Sequence, residues 1–500
     1  MNGIHSGTPA GSKEKTGHRV VRNAMFGVFS QVLGGGLFFL VAILVARHLG
    51  PESYGPFSFI FAFVAVIHMV ADFGLSQILV REISRNKQKL DEILGAVMPL
   101  VTILAIMGTG IIIMSVQLLI LSADAAQAMY ILGASVLVTF LAAVYGAVSR
   151  AFEQMGVNAL VLVLQRIFLL ILVLFSLDQE VGLQGIALCY LGERIFQWLF
   201  LYILVRRKYS RYKWRVDISY WRYLIREGLP VGAGLVLRRI SWYLDIFILS
   251  ALSTASAVGL FSAAFRIIQM INVIPFTLSI PVFPVFSRLA IESKDRVFAI
   301  YVRVLKVFVL ISLPIATWLF ILGPQITIVT FGDAYQPAGE VLQVMGPMVV
   351  FLFLNGLYVH IFSALNKQSH FMKVVGTAVV VNIVLDIALI PLWGILGAAL
   401  ATLISEIVLF IAGAVLLSQL GLVVAYLQLF FRPMVAVLIS SAALLWAAEL
   451  PSMINVILGS IGFSVLYVAV GYVLRILHED DVSTILSVLS RKSPAAIKKL

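Results

Sequence analysis

Several ionisable side chains stand inside stretches that are otherwise apolar: Arg166, Glu193, Arg194, Arg238, Arg239, Asp245, Arg266, Asp386 and Glu406. In hydrocarbon each is costly, and such groups face an interior cavity or one another. Arg166, Arg239 and Arg266 have no neighbouring carboxylate in the sequence. A guanidinium carries planar donors that hold two oxygens of a phosphate at once. Arg166, Arg238, Arg239 and Arg266 are therefore the candidate substrate-binding residues, and a cationic lumen implies an anionic substrate. Asp72, Asp245 and Asp386 are the candidates for coupling to a proton or sodium ion. Arg238 and Asp245 are seven residues apart, which puts them on one face if a single helix carries both. Internal ion pairs, or side chains snorkelling to an interface, account equally well for Glu193, Arg194 and Lys306. Asp72 reads either as a coupling residue or as a helix-end residue beside Gly74.

The sequence offers no chemistry of other kinds. Cys189 is the lone cysteine and sits in an apolar stretch, so neither a disulfide framework nor a cysteine metal site is expected. His68 and His360 stand singly and read as packed histidines. No phosphate-binding glycine loop, H-E-x-x-H pair or nucleophile elbow occurs. No metal, no cofactor and no enzymatic activity are expected.

The elements that position these residues are membrane spans. Of the 500 residues, 61% are hydrophobic and 12% charged, against about 25% charged in a soluble protein. The net charge of +12 would suggest nucleic acid, but most Lys and Arg fall in connections on one side of the apolar runs, with Arg47 at the opposite face and six within the runs. That bias is the positive-inside rule, which sets nucleic acid aside and puts both termini in the cytoplasm. The fold expected is all-α and polytopic, with about fourteen transmembrane helices. Residues 1–21 form a cytoplasmic tail. A first six-helix lobe (22–205) is followed by a basic linker (206–227), where Ile218, Trp221 and Ile225 have the spacing of an interfacial amphipathic helix. A second six-helix lobe (228–420), two further helices (421–477) and a basic tail (478–500) complete the chain.

The two lobes read as a repeat. A shift of 204 residues lays Tyr54-Gly55-Pro56-Phe57-Ser58 over Val258-Gly259-Leu260-Phe261-Ser262. A nearby shift lays Gly182-Leu183-Gln184-Gly185-Ile186-Ala187-Leu188 over Gly394-Ile395-Leu396-Gly397-Ala398-Ala399-Leu400. Six spans per repeat give both halves one orientation, a parallel repeat about an axis along the membrane normal. The second span, Phe57 to Val80, is expected to run unbroken past Asp72. The eighth, Ala257 to Phe286, should bend or break at its prolines. Gly323 to Glu340 reads as the largest outer loop. Gly34, Gly35 and Gly36 in the first span, with Pro275 and Pro281 in the eighth, are the candidate hinges.

The stretch Arg47 to Gly55, R-H-L-G-P-E-S-Y-G, with Asp72 to Arg85, D-F-G-L-S-Q-I-L-V-R-E-I-S-R, resembles the Wzx-type polysaccharide flippases. These belong to the multidrug/oligosaccharidyl-lipid/polysaccharide exporter superfamily, and the likeness extends over essentially the whole chain. It implies a transporter that moves an isoprenoid-pyrophosphate-linked oligosaccharide across a prokaryotic plasma membrane by alternating access, driven by an ion gradient. It also implies polysaccharide polymerases or transferases as partners, membrane lipid as surroundings, and a role for the last two spans in accommodating the lipid tail. A multidrug antiporter of the same superfamily and a membrane polysaccharide polymerase or ligase are the alternatives.

Overall fold

A computed structural model describes residues 10–279, 282–449 and 453–476. They form an all-α, multi-pass membrane protein in two compact units. The first comprises the chain up to His48 and Phe59–Tyr243; the second comprises Leu49–Ser58 and the chain from Leu244 onward. Among the described residues ten helices are long and apolar enough to cross a membrane, or eleven when one bent pair is counted as a span. That is fewer than the fourteen expected: two pairs of expected spans run on as single helices, and the apolar stretch after the basic linker is divided between two helices that are not among the ten.

The first unit contains α1 (Ala10–Asp72, less the segment given to the second unit), α2 (Leu75–Arg85), α3 (Leu90–Leu118), α4 (Ala123–Ala151), α5 (Met155–Asp178), α6 (Leu183–Lys208) and α7 (Ile218–Ser241). Helix α1 begins inside the expected polar tail and is two helices joined at Gly50, where φ is 67°. Its second limb ends at Asp72, and Phe73 and Gly74 turn the chain through positive φ into α2. The expected unbroken second span therefore stops short of Val80. Through Gly34, Gly35 and Gly36 the helix is continuous. A Cβ on Gly34 would lie 3.1 Å from Leu162 of α5, so this glycine serves close packing.

The basic linker is tied down on the end of α3. The Arg215 N–H donates to the Gly95 carbonyl at 2.9 Å, and Trp221 Nε1 donates to the Ala96 carbonyl at 2.7 Å. Asp217 caps α7 by accepting from the Tyr220 N–H at 3.0 Å and the Ser219 hydroxyl at 2.7 Å, which holds its carboxyl below the usual carboxylate range. Ile218, Trp221 and Ile225 thus start a helix that continues through to Ser241, and Ile218 is exposed while Trp221 is half-buried.

The second unit contains α8 (Leu244–Leu252), α9 (Ala255–Ile271), α10 (Val273–Ser279), α11 (Val282–Glu292), α12 (Lys294–Phe331), α13 (Ala338–Met345), α14 (Met348–Ala364), α15 (Gln368–Gln419), α16 (Tyr426–Ser440), α17 (Ala442–Glu449) and α18 (Met453–Val473). The expected eighth span is interrupted at Asn272, between α9 and α10. Pro275 is tolerated because it falls in the first turn of α10, where its missing N–H costs no helical bond. Pro281 lies outside the described residues. The expected outer loop from Gly323 is mostly helix: α12 kinks at Leu322 and resumes, with Pro324 opening its last turns. Trp242 and Tyr243 separate α7 from α8, so Arg238 and Asp245 do not share one helix face.

Within the second unit the two segments aligned by the 204-residue shift meet. A Cβ on Gly55 would fall 1.9 Å from the Ala255 carbonyl oxygen, and one on Gly259 would fall 2.0 Å from that of Pro51. The contact is reciprocal at the register of the 204-residue shift, and only glycine allows backbones so close. Tyr54 beside it is fully buried and meets Tyr335 edge to face at 6.3 Å.

Candidate functional site

The site is built on the break in α15. Gly394 adopts φ 55°, ψ −128°, a conformation open to glycine and costly for any side chain, and it folds the helix into two limbs. Asn382 and Asp386 are four residues apart on the first limb; Thr402 and Glu406 are four apart on the second. Each pair shares a helix face. Asp386 and Thr402 are equally distant in sequence from Gly394, as are Asn382 and Glu406. A tight reversal therefore brings like depths together. The outward face of the first limb carries exposed Val380, Val384 and Ile387, the arrangement of a helix whose surroundings are lipid and whose polar groups turn inward.

Asp245 completes the cluster from the first turn of α8. It is 3% exposed, Asp386 0% and Asn382 6%. Asn382 Nδ2 donates to Asp245 Oδ1 at 3.1 Å. The Asp386 carboxyl and Thr402 lie beside Asp245, and the Thr402 hydroxyl donates to the Ala398 carbonyl at 2.9 Å. Both Asp386 oxygens are buried, and neither accepts a hydrogen bond from any described donor. Alongside, Asn355 of α14 donates to Glu406 Oε2 at 2.7 Å.

Two adjacent, desolvated carboxylates are acceptor groups only, so they repel unless a proton or cation lies between them. The available donors are carboxylate, amide and hydroxyl oxygens, which suit a hard cation rather than a transition metal. Among the described residues no group of three or more His, Cys, Asp or Glu side chains could hold a metal ion. Of the expected coupling residues, Asp245 and Asp386 come together. Asp72 does not join them: it sits in the first unit and accepts from the Ser76 hydroxyl at 2.7 Å, tying the end of α1 to the start of α2. Asn382 and Thr402 were not singled out in the sequence; the signal is the pair of four-residue polar spacings flanking Gly394.

The cationic candidates fall in different settings. Arg166 Nη1 is 2.8 Å from Glu193 Oε1 and its guanidinium stacks 4.1 Å from the Phe38 ring centroid. Glu193 is fully buried and has Arg194 3.8 Å from its other oxygen. A carboxylate distant in sequence thus pairs with Arg166, and the trio keeps one excess positive charge. Arg266 is half-buried and donates to Gln269 Oε1 at 3.2 Å. Arg238 and Arg239 lie on α7, and their side chains are outside what is described.

The family model described as "Polysaccharide biosynthesis protein" matches residues 20–290. Two relatives come from Haloferax volcanii. "Probable flippase AglR" is 28% identical over 34% of this chain and 36% of its own length. "Probable low-salt glycan biosynthesis flippase Agl15" is 23% identical over 75% of this chain and 79% of its own length. The chain therefore spans about a third of AglR's length but most of Agl15's. Among solved structures, "Lipid II flippase MurJ, inward closed conformation" is similar with TM-score 0.73 and 15% identity, over 91% of this chain and 98% of that one. An inward-facing multidrug resistance MATE family transporter of the MOP superfamily is similar with TM-score 0.66 and 17% identity, over 78% of this chain and 95% of that one. At these identities the likeness is one of fold.

Proposed function

This chain belongs to the polysaccharide biosynthesis protein family, and we propose that it is a cation-coupled flippase for an isoprenoid-pyrophosphate-linked oligosaccharide. The observation that carries the coupling is the buried pair Asp245 and Asp386 with Asn382 and Thr402. Such a pair costs stability unless something positive occupies it, and so has little use as packing. Asp245 and Asp386 would hold the ion, Asn382 and Thr402 would complete its oxygen shell, and Asn355 would orient Glu406 nearby. Protons and a hard cation such as sodium compete for the same oxygens.

The substrate class rests on the relatives, two of which are named as flippases and one of those as acting in glycan biosynthesis. An anionic head group is consistent with the basic in-span residues. Arg166, with Arg194 beside it, Arg238, Arg239 and Arg266 are the proposed contacts for the pyrophosphate. In this reading α1 and α15 each supply two spans and α7 with α8 supplies one more, the total is fourteen in two six-span halves plus two, and both termini are cytoplasmic in a prokaryotic plasma membrane. Transport proceeds by alternating access, with Pro275 as a proposed hinge and polymerases or transferases of the same glycan as partners. The fold likeness to a multidrug transporter supports a second reading, export of small organic molecules. Deleting the gene and labelling lipid-linked oligosaccharides from each face separates the two. Accumulation on the cytoplasmic face supports flipping. Normal outer-face delivery combined with altered drug susceptibility supports the second reading.

A further inference from the structure

Glu406, half-buried on the second limb of α15, is held by one residue, Asn355 of α14. Asn355 Nδ2 donates to the Glu406 backbone carbonyl at 3.0 Å and to its carboxyl Oε2 at 2.7 Å. A backbone carbonyl only accepts, so the first of these bonds fixes which way the amide points. Asn355 is 6% exposed, and its Oδ1 is buried and accepts from no described donor. A buried amide oxygen left without a donor is costly. Ionised Glu406 cannot relieve it, because a carboxylate is an acceptor only. Protonated Glu406 can. Its O–H donates to Asn355 Oδ1 while its other oxygen accepts from Nδ2, a reciprocal pair that satisfies both side chains.

The surroundings supply no other neutralising group. Helix α15 packs on α8, α9, α13 and α14. Those helices carry Asp245, Arg266, Glu340, Tyr358 and His360, and α15 itself carries His370, Lys373 and Asp386. Among the described residues Glu406 forms no ion pair, and Asp245 is near enough to repel it when both are ionised. A carboxylate withdrawn from water with no cation beside it is neutralised by a proton. One carboxyl and one amide are too few oxygens to replace the hydration shell of a hard metal cation, but they suffice for a proton. Among the described residues Glu406 makes no hydrogen bond to Asp245, Asp386, Asn382 or Thr402. We propose that Glu406 and Asn355 form a proton-binding site distinct from the cation site, in which Asn355 recognises the protonated carboxyl. A proton here does not compete with a cation on Asp245 and Asp386 for oxygens. Its binding stands by itself; its use as a second coupling ion rests on the reading of the chain as a cation-coupled flippase.

Infrared spectroscopy of the full chain in phosphatidylcholine vesicles at neutral pH tests this, with glutamate labelled by a heavy carbon isotope at its carboxyl. The wild type shows the carbonyl stretch of a protonated, hydrogen-bonded glutamic acid, which moves with the label and on exchange into heavy water. Glu406→Gln abolishes that band. Glutamine reproduces the reciprocal pair, its amide donating to Asn355 Oδ1, so this variant keeps its fold and melts no lower than the wild type. Asn355→Leu removes the partner and moves the band. The label identifies the band as a glutamate's in the wild type, so the reading does not depend on a variant that folds. No glutamic acid band in the wild type, or one that survives in Glu406→Gln, overturns the proposal, as does a band that Asn355→Leu leaves unmoved. A wild type that shows the band but does not respond to sodium contradicts the cation site at Asp245 and Asp386 and supports this one.

Discussion

Replacing Asp386 by Asn keeps the shape of the side chain and removes one of two adjacent buried carboxylates. Two like unit charges about 4 Å apart repel by about 4 kcal/mol at an effective dielectric of about 20. A cation held between the carboxylates offsets that repulsion, and at a hundred times its Kd it stabilises the folded state by about 2.7 kcal/mol. At roughly 2 °C per kcal/mol for a unit of this size, the wild-type melting temperature should rise by about 5 °C on saturation. The assay is thermal unfolding of the detergent-purified protein followed by tryptophan fluorescence, for which the chain has 7 Trp. Sodium chloride is compared with choline chloride at several pH values. Asp386→Asn and Asp245→Asn should lose the rise, and without the cation should melt no lower than the wild type because the repulsion is gone. Asp72→Asn should retain the rise, since Asp72 bonds Ser76 in the other unit. A full-sized shift in Asp386→Asn refutes the reasoning, as does a wild type indifferent to both sodium and pH.

Glu193→Gln strands Arg166 and Arg194 beside a neutral amide, and thermal unfolding should show a loss of about 3–5 kcal/mol, the cost of breaking a buried pair. The Arg166→Met, Glu193→Leu double replacement should lose less. Gly259→Ala forces a Cβ against the Pro51 carbonyl, so folded yield and melting temperature should fall by an amount corresponding to about 2–4 kcal/mol. Gly356→Ala, whose Cβ meets nothing within 4 Å, should instead be neutral or stabilising by up to about 1 kcal/mol. Trp221→Phe removes the bond to the Ala96 carbonyl and should speed hydrogen exchange across residues 213–221, at about 1 kcal/mol.

Much of the architecture was legible because a bilayer makes hydropathy decisive. The limits of α3, α4, α5 and α6 fall within a few residues of the apolar runs. Gly55 and Gly259, which the 204-residue shift aligned, each approach the other's segment so closely that only glycine fits. Helix breaks were read less well. Phe73 and Gly74 turn the chain within the stretch expected as one span, and Trp242 and Tyr243 separate α7 from α8; overall hydropathy does not place either break. The same limit hid the carboxylate site. Asp245 and Asp386 are far apart in sequence, and their meeting depends on how α8 lies against α15, which no local pattern encodes. Arg166 read as uncompensated for the same reason, because Glu193 comes from the next helix.

Reconstitution of the purified chain into liposomes with a lipid-linked oligosaccharide, and a timed assay of glycan exposed at the outer surface, bears most directly on transport. With an imposed sodium or proton gradient, the wild type should expose the glycan at a rate at least tenfold above protein-free liposomes. Collapsing the gradient, or replacing Asp386 by Asn, should return the rate to background. Exposure at full speed in the Asp386→Asn protein would contradict coupling through the buried pair, and no exposure by the wild type under any gradient would contradict flipping itself.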